Sequence, residues 1–111
     1  MQSLMTRAGL AVALLSPASE SLEERYFQIM YDYEVAAQCG LVSVTVERSF
    51  RVALERAERS TGLDAEALRR IRIRAIVASD QEYDNRGLGG HRSWCRNDGT
   101  EGVQRLLEQG R

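Results

Sequence analysis

The residue types that carry most protein chemistry are concentrated in residues 84–98. This stretch contains the only His, the only Trp, one of the two Cys and three of the Gly residues, and it shows no apolar periodicity. An imidazole can act as a general base, and a nearby carboxylate such as Asp84 can orient it. One hypothesis is therefore a small extracytoplasmic hydrolase that uses His91 with loop carboxylates. Ser93 lies outside the Gly-x-Ser-x-Gly context that exposes a nucleophilic serine, which weakens this hypothesis.

Metal binding is a second possible use of these side chains. Cys39, His91 and Cys95 with Asp98 could surround a zinc ion, but the chain has no C-x-x-C pair and the His-to-Cys spacing matches no zinc signature. The carboxylates of residues 80–84 alternate as they do in a calcium loop. However, Asn85 and His91 stand where such a loop needs Gly and Glu. We therefore predict no metal and no cofactor.

The glycines of residues 85–90 leave two interpretations open. They could expose backbone N–H groups to an anion, although the segment lacks the Lys-Ser/Thr ending of a P-loop. Alternatively, they allow the chain to turn sharply against the core, with Leu88 and Trp94 as apolar plugs.

Binding of a partner is the use of residues 84–98 that the sequence favours most. Trp and Arg dominate the energetics of protein interfaces. We predict that Arg86, His91, Arg92 and Trp94 contact an unknown protein or small ligand.

The two cysteines, Cys39 and Cys95, form an isolated pair in the sequence. In an exported chain such a pair is most simply a disulfide. We predict this bond, which would anchor residues 84–98 to the helical part of the chain.

Residues 1–18 have the features of a secretory signal peptide. Arg7 supplies a positive charge, residues 8–15 form an apolar run, and Ser16-Pro17-Ala18 provides small residues at a cleavage site. The run is far shorter than the roughly 20 residues needed to span a bilayer, so no stable membrane insertion is expected after cleavage. We predict a bacterial protein, periplasmic or secreted, with a single helical domain over residues 19–111. The alternative is a cytoplasmic helical adaptor whose uncleaved N-terminal helix belongs to the fold.

The remaining sequence is patterned as amphipathic helices with recognisable ends. Ser21 and Glu24 form a capping box before the first helix, and apolar residues recur at helical spacing in three long segments. The predicted fold is all-α: a small three-helix body plus a short C-terminal helix, with a Gly-rich irregular loop (about 84–98) stapled by one disulfide. The predicted helices cover about residues 22–38, 44–60, 64–83 and 98–109.

The charge and the exposed apolar positions limit the class of partner. The formal net charge is −1 and every basic residue is Arg, so no nucleic-acid partner is predicted. Arg72 lies within the apolar arc of the third helix, and we expect it to pair with an acid of the first helix. Ile73 and Val77 point away from that arc, which makes a homodimer through these two residues possible.

Overall fold

The computed structural model describes residues 20–87 and 89–111, and these fold into helices joined by short connections. This confirms the all-α prediction. The proposed signal peptide, residues 1–18, and the plug residue Leu88 lie outside the described residues. The elements are α1 (Leu22–Gln38), α2 (Val44–Thr61), α3 (Ala65–Asn85), α4 (Gly90–Trp94), a π-helical turn (Cys95–Gly99) and α5 (Thr100–Gln109).

Each of the three long helices begins at a side chain that caps its first turn. The Ser21 hydroxyl accepts a hydrogen bond from the backbone N–H of Glu24 at 3.0 Å, and the Glu24 carboxylate accepts one from the Ser21 N–H at 2.9 Å. Ser43 and Asp64 cap α2 and α3 in the same way. Gly62 ends α2 in the left-handed conformation, with a φ of 69°, which Gly adopts without steric cost. These local signals are why the first three helices follow the predicted ranges closely.

Helix α1 is the centre of the fold and packs against α2, α3 and α5. Its apolar side chains occupy more than one face, as expected of a helix with neighbours on several sides. Tyr26 and Ile29 of α1 are buried together with Ala53, Ile71 and Leu106 from the other three helices. Burying a large apolar side chain stabilises the fold by about 1.5–3 kcal/mol, so this layer contributes substantially to the stability of the fold.

Tyr26 also brings its hydroxyl to a polar cluster at the edge of the core. The hydroxyl donates to Glu58 Oε2 at 2.8 Å and accepts from Arg72 Nη1 at 2.8 Å. Arg72 and Glu58 form an ion pair at 3.6 Å. The expectation that Arg72 pairs with an acid of the first helix is therefore wrong: the acid belongs to α2, and α1 contributes a phenol.

We expect Tyr26→Phe to lower the free energy of unfolding by about 1 kcal/mol at neutral pH, because two hydrogen bonds are lost while the ion pair remains. Burial raises the pKa of Tyr26 in the folded state. The stability linked to its protonated form is thus complete below the unfolded pKa of about 10 and is lost as pH rises through the folded pKa. Urea denaturation at neutral and alkaline pH should show a smaller alkaline loss in the variant. Equal alkaline losses in both proteins would contradict this assignment.

The irregular segment is much shorter than the predicted loop over residues 84–98. Only residues 86–89 separate α3 from α4, with Gly87 and Gly89 at φ values of 65° and 84°. From Gly90 onward the backbone remains helical through the π-helical turn, in which the Thr100 N–H bonds to the Cys95 carbonyl. A π-helical turn has a wider period than an α-helix. The non-helical residues 86–89, the short length of α4 and this change of period together explain why residues 84–98 show no regular helical pattern.

Candidate functional site

The disulfide between Cys39 and Cys95 fixes the geometry of the C-terminal helical segment. It joins the C-cap of α1 to the first residue of the π-helical turn, with a Cα–Cα distance of 5.5 Å. Gly99 packs directly against it, because a Cβ there would lie 3.2 Å from both Cys39 Sγ and Leu41 Cδ1. The predicted disulfide is confirmed, and such a bond is compatible with a location outside the cytoplasm.

Two of the predicted contact residues, Arg86 and Trp94, take part in packing. Trp94 is only 3% exposed, and its ring meets Tyr83 edge-on at 6.2 Å. The Arg86 guanidinium lies 5.3 Å from the centroid of the Trp94 ring and forms a 2.8 Å ion pair with Glu82. Because Trp94 is enclosed, its side chain offers no surface to a partner. This burial agrees with the alternative interpretation of Trp94 as an apolar side chain packed against the core.

The His91 ring is held against the end of α3. It stacks on Tyr83 with centroids 4.0 Å apart, and Nε2 lies 2.9 Å from the Tyr83 carbonyl oxygen. Since a carbonyl only accepts, Nε2 carries the proton. Within the described residues, no carboxylate is hydrogen-bonded to His91, and the Ser93 hydroxyl accepts from Asn97 at 3.4 Å. This geometry adds no support to the hydrolase hypothesis.

Arg92 and His91 line an open groove of about 420 Å³ beside the disulfide. We call it the arginine groove. The α1 end contributes Gln38, Cys39 and Leu41, and the C-terminal segment contributes His91, Arg92, Cys95, Arg96 and Thr100.

The side chains that line the arginine groove carry positive charge and no negative charge. None of its lining side chains is a carboxylate. Arg92 and Arg96 are both exposed, and neither forms an ion pair with a described residue. The nearby Asp80 accepts a hydrogen bond from Gln38 Nε2 at 2.7 Å. Two guanidinium groups therefore remain available to an anionic partner.

Arg96 and Leu41 line the groove but were not predicted as site residues from the sequence. Arg96 follows Arg92 by four positions, and this spacing places two side chains on the same face of a helix. This spacing did not indicate a shared face in the sequence, because residues 84–98 were predicted to form an irregular loop rather than a helix. Leu41 is apolar and exposed in the α1–α2 connection, and it has no sequence neighbour that marks it as part of a groove.

A second polar cluster, which was not predicted from the sequence, lies where α1 contacts α5. Asp32 is 2% exposed and accepts from Arg105 Nε and Nη2, both at 2.9 Å, and from Gln28 Nε2 at 2.8 Å. Hydrogen bonding to Asp32 raises the pKa of the Arg105 guanidinium. Gly102 gives the carboxylate its space, since a Cβ there would lie 3.1 Å from Asp32 Oδ1. Both carboxylate oxygens have partners, so this cluster holds the fold together rather than offering a ligand site.

In the described part of the chain, no helix combines the length and apolar composition needed to cross a membrane.

Comparisons with known proteins provide no assignment for the arginine groove. No protein-family model matches the chain, and no curated protein or solved structure matches it either. A functional assignment therefore rests on the chemistry of the chain's own surface.

Proposed function

We propose that this protein is an exported interaction module, periplasmic or secreted, that binds an acidic segment of a partner protein in the arginine groove. The observation that carries the proposal is the pair Arg92 and Arg96. Both side chains are exposed, both line the same groove, and neither is neutralised by an ion pair with a described residue. The planar guanidinium group matches a carboxylate through two parallel hydrogen bonds, so a carboxylate-bearing segment complements this groove.

The shape of the groove favours a peptide over a small molecule. Sites for small molecules are clefts that enclose most of the ligand surface, whereas the arginine groove is open to solvent. Leu41 and the Cys39–Cys95 disulfide lie beside the arginines and can contact an apolar side chain. An extended segment with alternating acidic and apolar residues would meet both features.

Two observations support export. Residues 1–18 have the pattern of a signal peptide, and the disulfide belongs to a class of bond that persists in oxidising compartments. We expect the protein from its native source to lack residues 1–18 and to be oxidised, as measured by intact mass. A chain that retains Met1 and has free thiols would contradict export and favour the cytoplasmic adaptor.

Fluorescence anisotropy with a labelled peptide of alternating Glu and Leu tests the binding proposal. We expect the double variant Arg92→Ala with Arg96→Ala to weaken binding by about tenfold or more, equivalent to about 1.4 kcal/mol. Arg48→Ala with Arg59→Ala is a matched control, because it removes the same charge from exposed positions on α2. Binding by this control should remain close to wild type.

Two outcomes would contradict the proposal. Equal losses in the two double variants would mean that the peptide responds only to net charge. Equal affinity for a peptide in which Gln replaces every Glu would mean that carboxylates are not recognised. Weakening of wild-type binding by added salt is expected, since exposed charges are screened.

A further inference from the structure

We propose that a second copy of this chain packs antiparallel against the outer face of α3. Leu68, Ile71 and Ala75 of this helix face the core. On the opposite side, Ile73 and Val77 are 42% and 46% exposed. Together they give α3 an exposed apolar strip bordered by charged residues, which is a feature of interaction surfaces.

The distribution of charge along α3 identifies the partner as another α3 in the opposite direction. After Glu66 in the first turn, the N-terminal half is basic and the C-terminal half is acidic. On the outer face the basic residues are Arg69 and Arg70 and the acidic residues are Asp80 and Asp84, whereas Arg72 and Glu82 form ion pairs within the chain. This order opposes the helix dipole, which favours acids near the N-terminus and bases near the C-terminus. An antiparallel copy places its basic half beside the acidic half and offsets the unfavourable order.

Helical geometry also fixes the register of the two copies. Arg70, Ile73, Val77 and Asp84 recur at spacings that place them on one face of α3. Arg70 and Asp84 lie at equal distances along the helix from Val77. With the two-fold axis at Val77, each Arg70 faces the partner's Asp84, and the arrangement is repeated by symmetry. Val77 then packs on its own copy.

A surface groove supports this register. It has a volume of about 440 Å³ and is lined by Arg70, Ile73 and Arg74 of α3 together with Glu23 of α1 and residues near the start of α3. In the antiparallel arrangement, the partner's Asp84 approaches this groove. Its lining carries two arginines against the single carboxylate of Glu23, so the net charge is positive and complements an entering carboxylate.

The size of the contact predicts a reversible dimer. Helix α3 has 21 residues, and a pair of helices about 31 Å long gives an interface near the lower limit of stable association. We therefore expect monomers at low micromolar concentration and dimers as the concentration approaches the millimolar range.

Sedimentation equilibrium of the oxidised protein tests the proposal through a charge exchange. Arg70→Asp and Asp84→Arg should each weaken dimerisation by about tenfold or more, because each places like charges opposite one another. Combining the two substitutions should restore dimerisation, since the ion pairs re-form with reversed sign. Val77→Arg should give a monomer, while Val52→Arg, an exposed position on α2, should dimerise normally. Circular dichroism checks that each variant is folded.

A monomeric wild-type protein at millimolar concentration would overturn the proposal. A dimer in which the combined charge exchange is as weak as the single variants would also overturn it, because the partner helix would then not be antiparallel in this register. Dimerisation that depends on Val52 rather than Val77 would place the interface elsewhere.

Discussion

Replacing both Cys39 and Cys95 by Ser should lower the free energy of unfolding by about 4 kcal/mol. The two residues are 56 positions apart, so the bond closes a long loop and restricts the unfolded chain strongly. Domains of this size have a net stability of roughly 5–15 kcal/mol. The loss is thus a large fraction of the total, and the variant should unfold at a much lower urea concentration.

Urea denaturation followed by circular dichroism measures this effect. We expect the double variant to keep most of its helix content before the transition, because the bond joins one helix end to one turn and α1 remains packed on three helices. Wild-type protein reduced with a thiol is the control and should unfold at nearly the same urea concentration as the variant. A loss below about 1 kcal/mol would contradict the stabilising role of the disulfide, since the loop-closure entropy of the unfolded chain predicts a loss several times larger.

Arg105→Met should be the second most destabilising change, lowering the free energy of unfolding by about 2–3 kcal/mol. Removing one member of a buried ion pair leaves an uncompensated charge, at a cost of about 3–5 kcal/mol. Here the Arg105 side chain is 43% exposed while Asp32 is 2% exposed. Water can therefore reach the carboxylate once the guanidinium is gone, which reduces the expected loss. Met preserves much of the packing of the Arg stem.

A matched variant distinguishes the loss of the partner of a buried carboxylate from the loss of an arginine in an exposed ion pair. Arg51→Met removes the partner of Glu47 in an ion pair where both side chains are well exposed, and such pairs contribute about 0–1 kcal/mol. Adding Asp32→Asn to Arg105→Met should recover part of the stability, because the buried charge is then absent. If Arg105→Met were no more destabilising than Arg51→Met, Asp32 would not depend on Arg105 for its burial.

The first three helices could be predicted because their signals are local. Ser21, Ser43 and Asp64 each cap a helix through a side chain close in sequence to the N–H that it satisfies. The apolar spacing of each helix then identifies the face that turns toward the core. No knowledge of distant residues was needed at these positions.

The last helix, predicted over residues 98–109, is observed as α5, but the helical path of residues 90–99 was not predicted because its causes are tertiary. Gly99 and Gly102 are poor helix formers, yet both lie in the helical segment and both are buried. One lies against Cys39 and Leu41, and the other lies against Asp32. The sequence shows the glycines but not the neighbours that require them.

The residues that contact a partner are also hard to predict from the sequence, because their tertiary neighbours are not visible in it. His91 and Arg92 line the arginine groove as candidates for contact, whereas Arg86 and Trp94 pack against each other. Residue type alone does not distinguish an aromatic plug from an aromatic contact, since both use the same large apolar surface. Arg96 can be recognised as a site residue only when residues 90–99 are known to be helical.

The most direct test of the arginine groove is a two-dimensional ¹H–¹⁵N NMR titration of the oxidised protein with the Glu-Leu peptide. We expect the amide shifts to change around Leu41, Arg92, Arg96 and Thr100, with the exposed face of α2 unaffected. This result would place an acidic segment in the groove beside the disulfide. Changes confined to the outer face of α3, around Arg70 and Arg74, would contradict the assignment of the groove as the binding site.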